Sequence, residues 1–333
     1  MKIAVVGAGS VGKRHLGNLI ALGHEAFVVE PEPKAAAEAK SRFSTPVFPR
    51  LEEALAQKPR CVFIATPPAL HLEPALEAAR AGCDLFIEKP LSHSWDGVET
   101  LIQEARRRNL VTMVGCNMRF HPNIAFMKRF IEEGRLGEIY SVRAEFGSYL
   151  PGWRPGTDYR RNYGARKDLG GGVLLDHIHE LDYLRWLGGE IAQAGALAST
   201  VALDIETEDV AVALLRFSHG ALGTIHFDYL QRSYARNCKW VGEKGELSWD
   251  WPGAKEGIVR FYDNSKSGWE ELHRLPEGYD VNEMFVEELK AFLNAAETRR
   301  SAPSSLEEAA QVLKLALACK KVSVQPKEDP CPA

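Results

Sequence analysis

Over the first 115 residues, short apolar runs alternate with stretches of helical spacing. Apolar runs at Lys2–Val6, Ala26–Glu30, Cys61–Ala65, Asp84–Glu88 and Leu110–Val114 predict buried strands. Between them, helical spacing predicts helices over Val11–Leu22, Lys34–Arg42, Arg50–Gln57 and Ala69–Ala81, with Gly23 and Gly82 at the ends of the first and last. Ser94 is placed to cap a further helix running to Arg108. Strands alternating with helices in this way predict an α/β domain built on a doubly wound parallel sheet.

The texture changes near residue 120. Ile124, Met127, Phe130 and Ile131 share one face of a helix expected over Pro122–Glu133. Tyr140, Val142, Ala144 and Phe146 then alternate with polar residues, the period of a half-buried strand. Further strands are expected at Ala194–Thr200, Asp209–Phe217, Ala221–Tyr229, Asn237–Val241, Glu246–Trp249 and Ile258–Tyr262. Ser218-His-Gly220 and Glu243-Lys-Gly245 are the turns between them. Two helices close the chain, one over Val281–Glu297 and one from the capping-box pattern at Ser304–Glu307 to Val322, before a frayed tail from Gln325. This predicts one domain on the doubly wound parallel sheet over 1–119 and an α+β domain over 120–333. The second should carry a large, mostly antiparallel open sheet with one face available for helices or a second subunit.

Composition narrows the classes. The 333 residues are 45% hydrophobic and 26% charged, with a net charge of −4, so the chain is neither disordered nor a basic nucleic-acid or membrane binder. No uninterrupted apolar stretch approaches the roughly 18 residues of a membrane span. The apolar run after Lys2 stops at the glycines and has no cleavage site, so it reads as a strand rather than an export signal, and a cytoplasmic location is expected. The six cysteines are scattered without C-x-x-C spacing, which predicts single buried thiols.

The chemistry starts at Gly7-Ala-Gly9-Ser10-Val11-Gly12, between a strand and a helix. Gly7 permits a tight turn, Gly9 a close approach of backbone to diphosphate, and Gly12 close helix–strand packing. The helix N-terminus then offers free N–H groups to phosphate. Glu30 ends the second strand, where an acid binds a ribose diol and repels a 2′-phosphate; this favours NAD over NADP. A solvated strand end is the alternative for Glu30. Ligands of such sheets lie at the carboxyl ends of the strands, which places Thr66, Pro67, His71, Glu88, Lys89 and Asn117 beside the dinucleotide. Lys89, ahead of Pro90, could hold a substrate oxygen and stabilise charge developing on it. Asp176, His179 and Asp182 follow the triple glycine 170–172 at spacing three, one helix face if the helix starts early enough. A histidine between carboxylates is a candidate general base, with His177 as a competitor. No metal is expected, because no second cluster completes a ligand set. Trp153, Arg154, Tyr159, Arg160 and Tyr163 lie in a segment, 151–168, rich in arginine and aromatic residues. Flat faces suit sugar rings, and guanidinium forks suit carboxylate or phosphate. A solvated loop or subunit contact is the other reading.

Taken with Gly115-Cys-Asn117-Met-Arg119-Phe120, these motifs in this order resemble the glucose–fructose oxidoreductase, inositol dehydrogenase and rhizopine catabolism (Gfo/Idh/MocA) family over nearly the whole chain. The resemblance implies NAD(P)-dependent hydride transfer on sugars, cyclitols or derivatives, acidic or nucleotide-linked ones included. It implies Lys89 as the catalytic lysine, His179 as the proton-transferring histidine and Asp176 as its companion, with Arg119 near the substrate. It also implies a homodimer or homotetramer assembled through the open sheet. Many relatives have three residues between that aspartate and histidine, whereas only His177 and Ile178 stand here. Two rivals remain: a glycoside hydrolase that uses NAD transiently, and a cofactor-binding regulator without turnover.

Overall fold

The computed structural model describes residues 1–253 and 256–321. Two compact units emerge among the described residues, one from Met1–His121, Asp168–Gly170 and Asp280–Leu313, the other from Pro122–Lys167, Gly171–Tyr279 and 314–321.

The first unit alternates strand and helix through β1 (Lys2–Val6), α1 (Ser10–Ala21), β2 (Glu25–Val29), α2 (Pro33–Phe43), β3 (Val47–Phe48), α3 (Leu51–Leu55), β4 (Cys61–Ile64), α4 (Leu72–Arg80), β5 (Asp84–Glu88), α5 (Val98–Arg107) and β6 (Thr112–Gly115). Its strands are all parallel, in the order β3-β2-β1-β4-β5-β6. The order reverses between β1 and β4, the point where such sheets bind ligands. Ile3, Val5, Phe63, Ile64, Phe86 and Ile87 are fully buried, as strands covered on both faces require. β3 escaped the pattern because two residues show no period. α5 does not start at Ser94; Gly97, at a φ of +83°, forms its N-cap.

The second unit contains α6 (Pro122–Glu132), β7 (Ile139–Gly147), α7 (Val173–Asp176), α8 (His179–Gly188), β8 (Ile191–Ser199), β9 (Val210–Phe217), β10 (Leu222–Asp228), β11 (Ala235–Gly242), β12 (Gly245–Gly253), β13 (Glu256–Asp263) and β14 (Gly268–Arg274). The sheet order is β14-β13-β12-β11-β7-β10-β9-β8. β7 pairs in parallel with β10, and the other neighbours are antiparallel. Val142, Phe146, Phe217, Phe227, Trp240 and Trp249 bury one face, against which α6 and α8 pack. The opposite face is open. It exposes Leu197, Val212, Leu214 and Leu222 at one end, while Arg143, Lys239, Asp250, Arg260 and Trp269 line a hollow at the other. The edge strand β14 was not expected, because its residues are exposed or half-buried on both sides and carry no alternation.

The compact units are not two contiguous stretches of chain. After β14 the chain returns to the first unit as α9 (Asn282–Thr298), before α10 (Leu306–Lys321). Leu289, Phe292 and Ala296 of α9 join the core that includes Phe63 and Phe86. Phe63 and Phe86 stack at 4.7 Å, and Phe292 meets them edge-on at 5.4 and 5.6 Å. Arg299 then pairs with the buried Asp84 at 2.6 Å. The first unit thus draws its covering helix from far along the chain. The cysteines at 61, 83, 116, 238 and 319 are buried, none in a disulfide among the described residues, and burial pushes the Cys61 thiol up to about 12. Cys331 and the tail from Gln325 lie outside the described residues.

Candidate active site

The turn between β1 and α1 shows what each glycine does. Gly7 has a φ of +98°, and a Cβ on it would stand 2.8 Å from the Ala65 carbonyl oxygen. A Cβ on Gly12 would stand 2.0 Å from the Gly7 carbonyl oxygen, which no packing tolerates. Gly9 differs, because nothing lies within 4 Å of its Cβ position. Two glycines therefore close the strand–helix packing, and the third leaves open ground at the helix start. No side chain caps α1, and its first turn carries no acid. The first-turn amides of Ser10, Val11 and Gly12 and the positive dipole end thus suit an anion. The Glu30 carboxylate accepts from the Ala8 N–H at 2.8 Å and the Glu32 N–H at 2.9 Å, which fixes it beside the glycine turn.

The other strand ends continue this edge. After β4, the Thr66 hydroxyl donates to the Leu70 carbonyl at 3.1 Å, and Pro67 leads into a short 3₁₀ turn. His71 is fully buried, with its ring nitrogens 2.8 Å from the Thr66 oxygen and 2.9 Å from the Pro90 oxygen. Burial pushes its pKa down. His71 therefore joins two loops instead of presenting its ring to a ligand. Glu88, at the end of β5, also turns inward: Oε1 lies 2.5 Å from His15 Nε2, and Oε2 accepts from the Lys89 N–H at 3.2 Å. Burial opposes its charge, yet His15, with Lys89 and His71 behind it, holds the carboxyl below the usual range. Lys89 itself is half-buried. After β6, Asn117 is buried, and its Oδ1 has no hydrogen-bond partner among the described residues. Arg119, expected beside the substrate, is buried in an ion pair with Glu308 of α10 at 2.7 Å. These features fit a dinucleotide: open approach for diphosphate at Gly9, a fixed carboxylate for a ribose diol at Glu30, and a buried hydrogen-bonding group at Asn117.

In the second unit, α7 ends at Asp176 and α8 begins at His179, with His177 outside helical geometry at a φ of −104° and ψ of 38°. The break takes Asp176 off the face that His179 and Asp182 share, so the three do not lie along one helix. Asp176 instead accepts hydrogen bonds from the hydroxyls of Tyr163 and Tyr229, the latter at 3.0 Å. His177 Nε2 lies 4.0 Å from Asp176 Oδ2. Its ring stacks on Phe146 at 3.4 Å and meets Trp153 and Tyr229 edge-on at 5.6 and 5.7 Å. Trp153 is held by its indole N–H, which donates to Ser148 at 2.8 Å. Of the 151–168 segment, then, Trp153 and Tyr163 reach the cluster. Arg160 is bound to Asp158 at 2.8 Å and to Asp204 at 3.2 Å. Arg154 is exposed and Tyr159 half-buried, and neither joins the cluster. Phe146 and Tyr229 were missed as site residues, because their place in alternating strands assigned them to the core. His15 was missed too; its only sequence signal is its place three residues after Gly12 on the inner face of α1.

Two family models match the chain. Residues 1–116 match the oxidoreductase family NAD-binding Rossmann fold (GFO_IDH_MocA), and residues 124–248 the GFO/IDH/MocA C-terminal domain. The chain belongs to the Gfo/Idh/MocA oxidoreductase family. Its parallel sheet is the family's NAD-binding Rossmann fold, and its function is that of an NAD-dependent dehydrogenase. Myo-inositol 2-dehydrogenase of Thermotoga maritima is 28% identical, aligned over 96% of both chains. Levoglucosan dehydrogenase of Pseudarthrobacter phenanthrenivorans is 27% identical over 71% of this chain and 69% of its own. Among solved structures, the WlbA dehydrogenase from Bordetella pertussis in complex with NADH and UDP-GlcNAcA superposes with a TM-score of 0.83, at 25% identity over 97% and 96% of the two chains. No described helix is long and apolar enough to cross a membrane.

Proposed function

We propose that this dehydrogenase moves a hydride between nicotinamide and a sugar, cyclitol or sugar derivative, acidic and nucleotide-linked forms included. The observation that carries the reading is the open glycine turn, with Glu30 fixed beside it, on the same sheet edge as Lys89. Bound NAD supplies the hydride acceptor, and NADH the donor in reverse. Gly9, the first-turn amides of α1 and Glu30 hold the dinucleotide, with Thr66, Pro67 and Asn117 along the neighbouring strand ends. Lys89 binds the oxygen of the reacting carbon and stabilises the charge that grows there. His179 takes the hydroxyl proton as the C–H bond gives up its hydride, and returns it in the reduction. Asp176 and Trp153 contribute hydrogen bonding and a flat face to the sugar. The face-on stacking of His177 against Phe146 supports His179 as the base. Net NADH formation tests the reading in an absorbance screen of neutral sugars, cyclitols, uronic acids and nucleotide-sugars. NADH rising with one class supports it, and retained NAD without net NADH from any class would sink it.

The open sheet face is the proposed self-association surface of a cytoplasmic homodimer or homotetramer. Leu197 and Leu214 are 62% and 63% exposed there, beside Val212 and Leu222, a patch that a second copy would cover. Leu214→Arg is expected to shift the light-scattering mass to that of the monomer while NAD binding persists. An unchanged mass would place the subunit contact elsewhere.

A further inference from the structure

We infer that His15, Glu88 and His71 are positioning residues that hold the Lys89 backbone for hydride transfer; this rests on Lys89 acting as proposed above. The lysine is bracketed on both sides. Its own N–H donates to Glu88 Oε2 at 3.2 Å, and the carbonyl of the next residue, Pro90, lies 2.9 Å from His71 Nδ1. Each bracket reaches a different element. The other oxygen of Glu88 is bound by His15 of α1, the helix that starts at the glycine turn, at 2.5 Å. The other nitrogen of His71 reaches the Thr66 carbonyl, after β4. So α1, the end of β4 and the end of β5 converge on one residue.

The surroundings are built for this. The His15 ring is fully buried among Phe63, Phe86 and Phe285, at 5.8, 5.1 and 6.2 Å. A Cβ on Gly115 of β6 would stand 3.2 Å from the Glu88 carboxylate, so glycine leaves the room that carboxylate occupies. Stability does not call for such a buried polar pair, since well-packed apolar residues replace even buried ion pairs at little or no cost. Fixing a reacting group does, because a misplacement of about 1 Å costs on the order of 100-fold in rate.

The test compares Glu88→Gln, His71→Phe and His71→Asn with Lys89→Met and the wild type. It measures kcat and KM on the best substrate of the screen, the NAD dissociation constant by fluorescence, and the melting temperature. Glu88→Gln and His71→Phe are expected to lower kcat about tenfold, with KM and NAD affinity within about twofold. His71→Asn, which keeps an N–H donor, should recover part of the loss. Wild-type kcat in Glu88→Gln and His71→Phe, or NAD affinity falling in step with kcat, overturns the inference. Should a histidine variant fail to fold, Glu88→Gln, which has the same shape and still accepts from His15, carries the test alone. Wild-type kcat in Lys89→Met marks a different failure, that of the lysine assignment, and the inference falls with it.

Discussion

Lys89→Met and His179→Ala are each expected to lower kcat by about 10²- to 10⁴-fold while NAD binds within about twofold of wild type. Methionine keeps the length of the lysine stem and removes the cation, so the reacting oxygen loses its charge partner and little packing is lost. Alanine at 179 removes the proposed proton acceptor. The residues proposed to hold NAD lie elsewhere, at Gly9, α1 and Glu30, which is why affinity should survive both changes. Combined, the two should cost less than the sum of the singles in free energy, since groups serving one transition state act as a unit. Fluorescence titration with NAD and stopped-flow NADH absorbance separate binding from chemistry. His177→Ala decides between the two histidines: a larger loss of kcat there than in His179→Ala would transfer the base to His177. Wild-type turnover in Lys89→Met and His179→Ala alike would remove both from the mechanism.

The Rossmann half was legible because each of its signals is local. A parallel strand covered on both faces reads as a plain apolar run, and the glycine turn needs only its own six residues and their flanks. What the sequence concealed depends on contacts between distant segments. The stripe of Leu289, Phe292 and Ala296 announces a helix, but not that it covers the sheet carrying Phe63 and Phe86. Glu88 and His71 were rightly associated with strand ends, yet their side chains point inward, toward His15 and between two carbonyls. Arg160 looked like an anion fork until Asp204, 44 residues on, proved to occupy it. The break between α7 and α8 falls at His177 and Ile178, where no glycine or proline announces it, so spacing alone kept Asp176 in register with His179. The open sheet was readable from alternation wherever one face is buried, and lost at β14, where neither is.

The same distance effect governs the second large expectation. Arg236→Met should destabilise the protein by about 3–5 kcal/mol, because it leaves a buried carboxylate without its cation. Arg236 of β11 binds Glu180 of α8 through Nε at 2.7 Å and Nη2 at 3.3 Å, with Glu180 wholly inaccessible. The guanidinium lies 4.7 Å from the Phe146 ring, so its flat face packs as well as pairs. Burial opposes its charge, and Glu180 more than offsets that, keeping its pKa above the ordinary value. Nearby, burial raises the phenol pKa values of Tyr183 and Tyr234, as a dry interior requires. Loss of one partner is therefore costly, whereas loss of both is not. The double variant Arg236→Met with Glu180→Met should recover most of the denaturation midpoint in guanidinium chloride, since an apolar pair needs no desolvated charge. Glu180 directly follows His179, so the pair also anchors the helix start from which the proposed base projects. A well-folded double variant with reduced kcat would separate that anchoring from stability. An Arg236→Met midpoint equal to wild type would show that the pair does not support stability.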